Sequence, residues 1–268
     1  MKLSPFTRIS LRTVALGYLL ILLVLPLGII FYRSFENGIG AFYDWISTPA
    51  AISAFNLSML IVAIVVPVNV IFGVVTAIAL VRGRFPGRNL VQGLVDLPFA
   101  VSPVVVGVSL ILLWGAGGWF GGLENHGLKI IFNLPGMVIA TIFVTLPYVV
   151  REVEPVLHEI GDDQEQAAAT LGASRWQTFW RITLPAIRWG LTYGIVLTVA
   201  RSLGEFGAVI MVSTALPGKS QTLTLLVHGR YTDHNTFGAY CAATLLMGIA
   251  VVVLLLMTLL ERKRDSAK

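Results

Sequence analysis

Some stretches of this chain have residue types and spacings that could do chemistry. Ser213 to Ser220 reads SxxxxGKS, close to a loop that cradles nucleotide phosphates. Ser213 stands where the first glycine belongs, and an apolar segment precedes it instead of a strand, so nucleotide binding is not expected. His126, His158, His228 and His234 read as loop residues without metal-ligand spacing, so no metal centre is expected. Cys241 is the single cysteine, which excludes an intrachain disulfide, and it reads as a small packed side chain. No G-x-S-x-G, HExxH or dinucleotide-binding signature occurs. The chain reads as a path, not a catalyst.

Two further groups fit a path. Arg201 and Glu205, in ARSLGEFGA, interrupt an apolar run and at four-residue spacing share a helix face. One reading is an internal ion pair that locks packing. The other is an anion path in which Arg201 supplies positive potential and Glu205 keeps the site from binding too tightly. Gly204 and Gly207 would allow close helix approach there. The second group is QAAATLGASRWQTFWRITLP, Gln166 to Pro185, a polar stretch in a very apolar chain.

The elements that carry these groups follow from composition. Hydrophobic residues make up 56% and charged residues 12%, with a mean hydropathy of +0.82; soluble domains carry about 25% charged residues. Six apolar runs of membrane length are expected at about Val14–Tyr32, Leu57–Val81, Leu97–Trp114, Leu134–Val150, Trp189–Val212 and Phe237–Leu260. The third and fourth are short and broken by Pro103 and Pro147. The first follows Lys2, Arg8 and Arg12, but is too long for a typical signal sequence and lacks a small-residue cleavage site; a retained helix is expected.

With both ends inside, the inner side collects Lys2, Arg8, Arg12, Arg82, Arg84, Arg88, Arg151, Arg175, Arg181, Arg188, Arg262, Lys263, Arg264 and Lys268. The outer side holds Arg33, Lys129, Lys219 and Arg230. This asymmetry places both termini in the cytoplasm. The net charge of +5 reflects topology and calls for no nucleic-acid partner.

The largest inner loop, about residues 151–188, carries acidic residues beside its arginines. A helix is expected to start with Pro155 at its first position and to end at Gly172 in a left-handed cap. Ser174 with Gln177 makes a capping box for a second short helix, which brings Trp176, Phe179 and Trp180 onto one aromatic face. Pro185 is expected to interrupt the pattern before the next membrane helix. That aromatic face suits either a docking surface or an interfacial belt. GxxxG at Gly190 to Gly194 could mark a helix interface, and the external loop from Ala215 to Thr236 either receives a binding protein or merely connects.

The spacing Gln166-Ala167-Ala168, three residues, Gly172, nine residues, then Ile182, Leu184 and Pro185 resembles the EAA loop of ABC importer permeases. Gln166 stands where glutamate is usual, with Glu165 one place earlier. DLPFAVSPVVVG from Asp96, GWFG from Gly118, HGLKIIFNLPGMVIATIFVTLPYVVRE from His126 and RSLGEFGAV from Arg201 are similar to sulfate and thiosulfate permeases. The tail from Asn235 to Arg262 looks like their W-type subunit.

The resemblance implies an all-α polytopic protein of the type I importer permease fold, six helices in one domain over residues 1–268, in the inner membrane. It implies a non-catalytic subunit paired with a T-type permease, served by two ATPases that hold ATP and Mg and by an external sulfate-binding protein. The loop from Gln166 to Trp180 would couple to the ATPases. Molybdate or tungstate permeases are the neighbouring reading; an ion-coupled carrier would leave the loop unexplained.

Overall fold

The computed structural model describes residues 5–122 and 126–265; Lys2 and Lys268 of the charge pattern lie outside them. Among the described residues every regular element is a helix. Five are long and apolar enough to cross a membrane: Ser10–Phe35, Pro49–Arg82, Leu134–Ile160, Arg175–Leu203 and Thr236–Leu256. A sixth crossing is made if the bent pair Arg88–Ala100 and Pro103–Trp114 counts as one span.

In chain order the elements are α1 (Pro5–Leu19), α2 (Leu25–Phe35), α3 (Gly38–Ile46), α4 (Pro49–Arg82), α5 (Arg88–Ala100), α6 (Pro103–Trp114) and α7 (Leu134–Ile160). They continue with α8 (Asp163–Thr170), α9 (Arg175–Thr178), α10 (Leu184–Leu203), α11 (Gly207–Val212), α12 (Leu223–Thr232) and α13 (Thr236–Asp265).

The centre is α4 against α7, with α10 beside both. Thr48 caps α4 by accepting the Ala51 N–H at 3.4 Å, and Pro49 opens it. Ala54, Ser58, Ile61, Val65, Asn69, Val74, Ala77 and Leu80 are buried at three- to five-residue steps, which is one helical stripe. The opposite face, with Ile71, Phe72 and Val75, is exposed and equally apolar, because lipid is as good a solvent for it as the core. A Cβ on Gly73 would lie 2.6 Å from Val149 Cβ, so the two backbones meet there. Asn69 Nδ2 donates to Thr145 Oγ1 at 2.6 Å in the same interface. The Gly190–Gly194 pair does the same for α10 and α7: a Cβ on Gly190 would sit 2.6 Å from the Glu152 carbonyl oxygen.

Two prolines in long helices share one accommodation. Leu25 precedes Pro26 and Leu184 precedes Pro185, and each Leu-Pro follows a five-residue π-turn, Leu20–Val24 and Phe179–Thr183. The Leu25 and Leu184 N–H groups donate to the Leu20 and Phe179 carbonyls, widening the helix where the proline ring would otherwise crowd the preceding turn. Pro185 therefore does not interrupt the chain as expected: Arg175–Leu203 runs as one span.

The third run is the most altered. α5 and α6 meet at 112° across Val101 and Ser102, both extended. Pro103 disfavours helical geometry at Ser102, and this is the local cause of the break. The expected fifth run also ends early, at Leu203. The stretch from Ala215 to Thr236 is no plain connector, since it contains α12 with Leu223, Leu225 and Leu226 buried.

Candidate coupling loop and translocation path

The polar loop forms from its glycines and caps. α7 runs through Pro155 to Ile160, so Pro155 lies inside a helix and not at a helix start; the flanking bundle holds the segment helical. The break comes at Gly161, whose φ of 63° and ψ of −169° belong to a region open in practice only to glycine. α8 then ends at Leu171, and Gly172 takes φ of 82°. The Ala173 N–H donates to the Ala168 carbonyl and the Gly172 N–H to the Ala169 carbonyl, each at 3.0 Å, the paired bonds of a Schellman turn. Ser174 accepts the Gln177 N–H at 3.3 Å, and the Gln177 side chain accepts the Ser174 N–H at 2.9 Å. A helix, a tight turn and a capped helix result.

The aromatic group is partly packed and partly exposed: Trp176 is 69% and Trp180 51% exposed, and Phe179 is half-buried. Trp176 and Trp180 meet edge to face at 5.5 Å, with Phe179 against both. Together with Val70, Val74 and Ile78 of α4 they line an apolar cavity of about 780 Å³. Phe179 and Leu184 pack on the buried cluster of Val74, Leu80 and Val149. Phe179 thus packs on the membrane helices, while Trp176 and Trp180 rim the cavity and keep an outward surface. The tip is exposed as well: Leu171 is 87% exposed, and Gln166, Ala167, Gly172, Ser174, Arg175 and Gln177 are exposed around it. Ala168 is buried, Ile182 half-buried and Pro185 exposed.

One constellation here was invisible in the spacing. The carboxylate of Glu165 lies 3.1 Å from Arg82 Nε at the end of α4 and accepts the Thr183 hydroxyl at 2.8 Å. Arg82 also donates to the carbonyls of Leu157 and Gly161, bracketing the break. Glu165 thereby ties the loop to α4 and to the π-turn, while Gln166 points outward. The only sequence signal was the displaced glutamate; its partner is 83 residues away.

Arg201 and Glu205 are paired, with Nη1 2.7 Å from Oε2. They do not share a helix face as expected. α10 has ended, and Glu205 lies in the link to α11. Its carboxylate is buried, with Oε1 accepting the Ala208 N–H at 2.8 Å and Oε2 in ion-pair contact without hydrogen-bond alignment. Thr224 of α12 donates to the Glu205 carbonyl at 2.8 Å. Gly207 is a close-approach glycine, since a Cβ would meet Pro103 Cβ at 3.1 Å; Gly204 is not, its nearest neighbour being 3.7 Å away.

The Arg201 side chain is 30% exposed. It opens into a polar cavity of about 450 Å³ lined by the α5–α6 break, Val144 and Tyr148. Elsewhere, Ser213 donates to the Ser220 carbonyl at 2.6 Å and accepts the Ala215 N–H, so the GKS-like turn is bonded to itself. His158 and His228 lie in α7 and α12, not in loops.

This architecture is that of an ABC-importer permease. A solved bacterial alginate ABC transporter, in complex with an alginate-bound periplasmic protein, has a chain that superposes with a TM-score of 0.80 at 17% identity, covering 96% of this chain and 94% of that one. Residues 69–266 match the model of the binding-protein-dependent transport system inner membrane component, and the chain belongs to that family. The sulfate transport system permease protein CysW of Synechocystis is 48% identical over 96% of this chain and 94% of its own length. The CysT permease of the same organism is 35% identical over 93% and 87%.

Proposed function

We propose that this chain is the W-type permease subunit of an ATP-driven importer of sulfate or thiosulfate. Its likeness to CysW, well above that to CysT, supports both the substrate and pairing with a T-type partner. The observation that carries the mechanism is the helix–turn–helix held on α4 and the π-turn by Glu165, Arg82 and Thr183. The exposed tip around Leu171 and Gly172 docks a separate ATPase that holds ATP and Mg. Closure of the ATPase dimer moves the tip, and the clamp passes that displacement to α4 and α10, because packed helices shift as bodies. This chain itself hydrolyses nothing. The inner loops carry the arginine excess, so both termini are cytoplasmic. Arg201 and its cavity lie on the anion path, and a periplasmic sulfate-binding protein delivers from the other side.

The test is uptake of radiolabelled sulfate into proteoliposomes holding this chain, its partner permease, the ATPases and the binding protein. Uptake should need ATP and every component. Uptake by this chain alone under an ion gradient would overturn the reading, and preference for molybdate or tungstate would overturn the substrate.

A further inference from the structure

We propose that two side-chain pairs, Asp96 with Arg151 and Phe99 with Tyr148, form the inner gate of the anion path that starts in the Arg201 cavity; this rests on the permease reading above.

Three layers stack along the facing sides of α5 and α7. Phe99 and Tyr148 line the Arg201 cavity and meet edge to face, ring centroids 5.5 Å apart at 82°. One turn further from the cavity, Arg151 Nε donates to Asp96 Oδ1 at 2.9 Å, and Arg151 Nη2 closes on Oδ2 to complete a two-point ion pair. Another turn on, Gln92 donates to Glu154 at 3.2 Å. Positions 92, 96 and 99 fall on one face of α5, and 154, 151 and 148 on one face of α7, so the pairs form a column. From Val144, which lines the cavity, to Arg151 the helical rise is about 10 Å. Arg201 and Arg151 therefore lie on either side of this aromatic pair.

The column is half open: the Arg151 and Asp96 side chains are 45% and 34% exposed. Charges on that scale are not left facing hydrocarbon; within a membrane chain they face water or protein. In this proposal α5 moves about the two extended residues, Val101 and Ser102, that join it to α6 at the 112° bend. While the layers touch, Asp96 neutralises Arg151. When α5 parts from α7, Arg151 presents a free cation to an anion leaving Arg201. On closure, Asp96 competes for Arg151 and expels the anion toward the coupling-loop end. An aspartate returning to its arginine keeps the exit site from becoming a trap.

The complete reconstituted transporter tests this. Asp96→Asn leaves Arg151 permanently unmasked and should slow sulfate turnover about tenfold, with the dependence on binding-protein concentration unchanged. Adding Arg151→Gln should bring turnover back to within about twofold, since neither trap nor mask remains. In parallel, Cys241 is buried and can be replaced by serine to give a cysteine-free parent. In that parent, Phe99→Cys should react with a small hydrophilic thiol reagent at rates that differ about tenfold between nucleotide-free and vanadate-trapped complexes. Leu22→Cys, on the apolar first span, should stay unreactive.

A double variant as slow as Asp96→Asn, or Phe99→Cys silent in both states while the parent imports sulfate, overturns the gate and leaves the permease reading standing. A parent that imports molybdate but not sulfate, with Phe99→Cys still state-dependent, supports the gate and overturns only the substrate.

Discussion

Gly172 offers a sharp test of the coupling loop because its cost can be worked from backbone alone. Its φ is 82°, and a Cβ added there would meet nothing within 4 Å. A substitution thus pays only for the left-handed conformation. That cost is about 1 kcal/mol for alanine and about 2 kcal/mol for a β-branched residue, with asparagine below alanine because its side chain tolerates the region. At about 1.4 kcal/mol per tenfold, Gly172→Val lowers the equilibrium constant for forming the turn about 30-fold and Gly172→Ala about fivefold. Sulfate-stimulated ATP hydrolysis and uptake, measured on the same reconstituted complex, should fall together in the order Gly, Asn, Ala, Val. Asparagine is larger than alanine, so the order separates backbone strain from bulk. Equal stimulation for Gly172→Val and the parent would refute the coupling role; a loss that tracks side-chain size would refute the turn as its cause.

The Glu165–Arg82 clamp predicts a closed double-mutant cycle: Glu165→Gln and Arg82→Gln should each lower uptake per ATP hydrolysed, and the pair together should be no worse than either alone. Additive losses in uptake per ATP would show that the two residues act separately. At the cavity, Arg201→Met strands the buried Glu205 carboxylate, a change that costs about 3–5 kcal/mol. Assembly, followed by size-exclusion chromatography, should suffer in Arg201→Met and return in Arg201→Met with Glu205→Gln, while sulfate uptake stays lost in both. Normal uptake in either variant would remove Arg201 from the path.

Much of this site was legible because its signals are local. Ser174 and Gln177 can cap only each other at that spacing, and Gly172 can end a helix with no help from elsewhere. Reading failed where neighbours overrule local preference. Pro155 looks like a helix start, yet α7 carries it mid-helix against the bundle. Pro185 looks like a stop, and a π-turn absorbs it. The four-residue spacing of Arg201 and Glu205 suggested one helix face, whereas α10 ends between them and the carboxylate caps α11 instead.

Composition alone determined a multi-spanning helical membrane protein, since lipid accepts only apolar, internally bonded segments. Tertiary structure decided which charges meet. Arg82 with Glu165 and Asp96 with Arg151 are pairs joined across whole helices, and an apolar chain carries no periodic mark of which face looks to lipid and which to a neighbour. It also packed Phe179 on the buried cluster around α4 while leaving Leu171, Trp176 and Trp180 exposed.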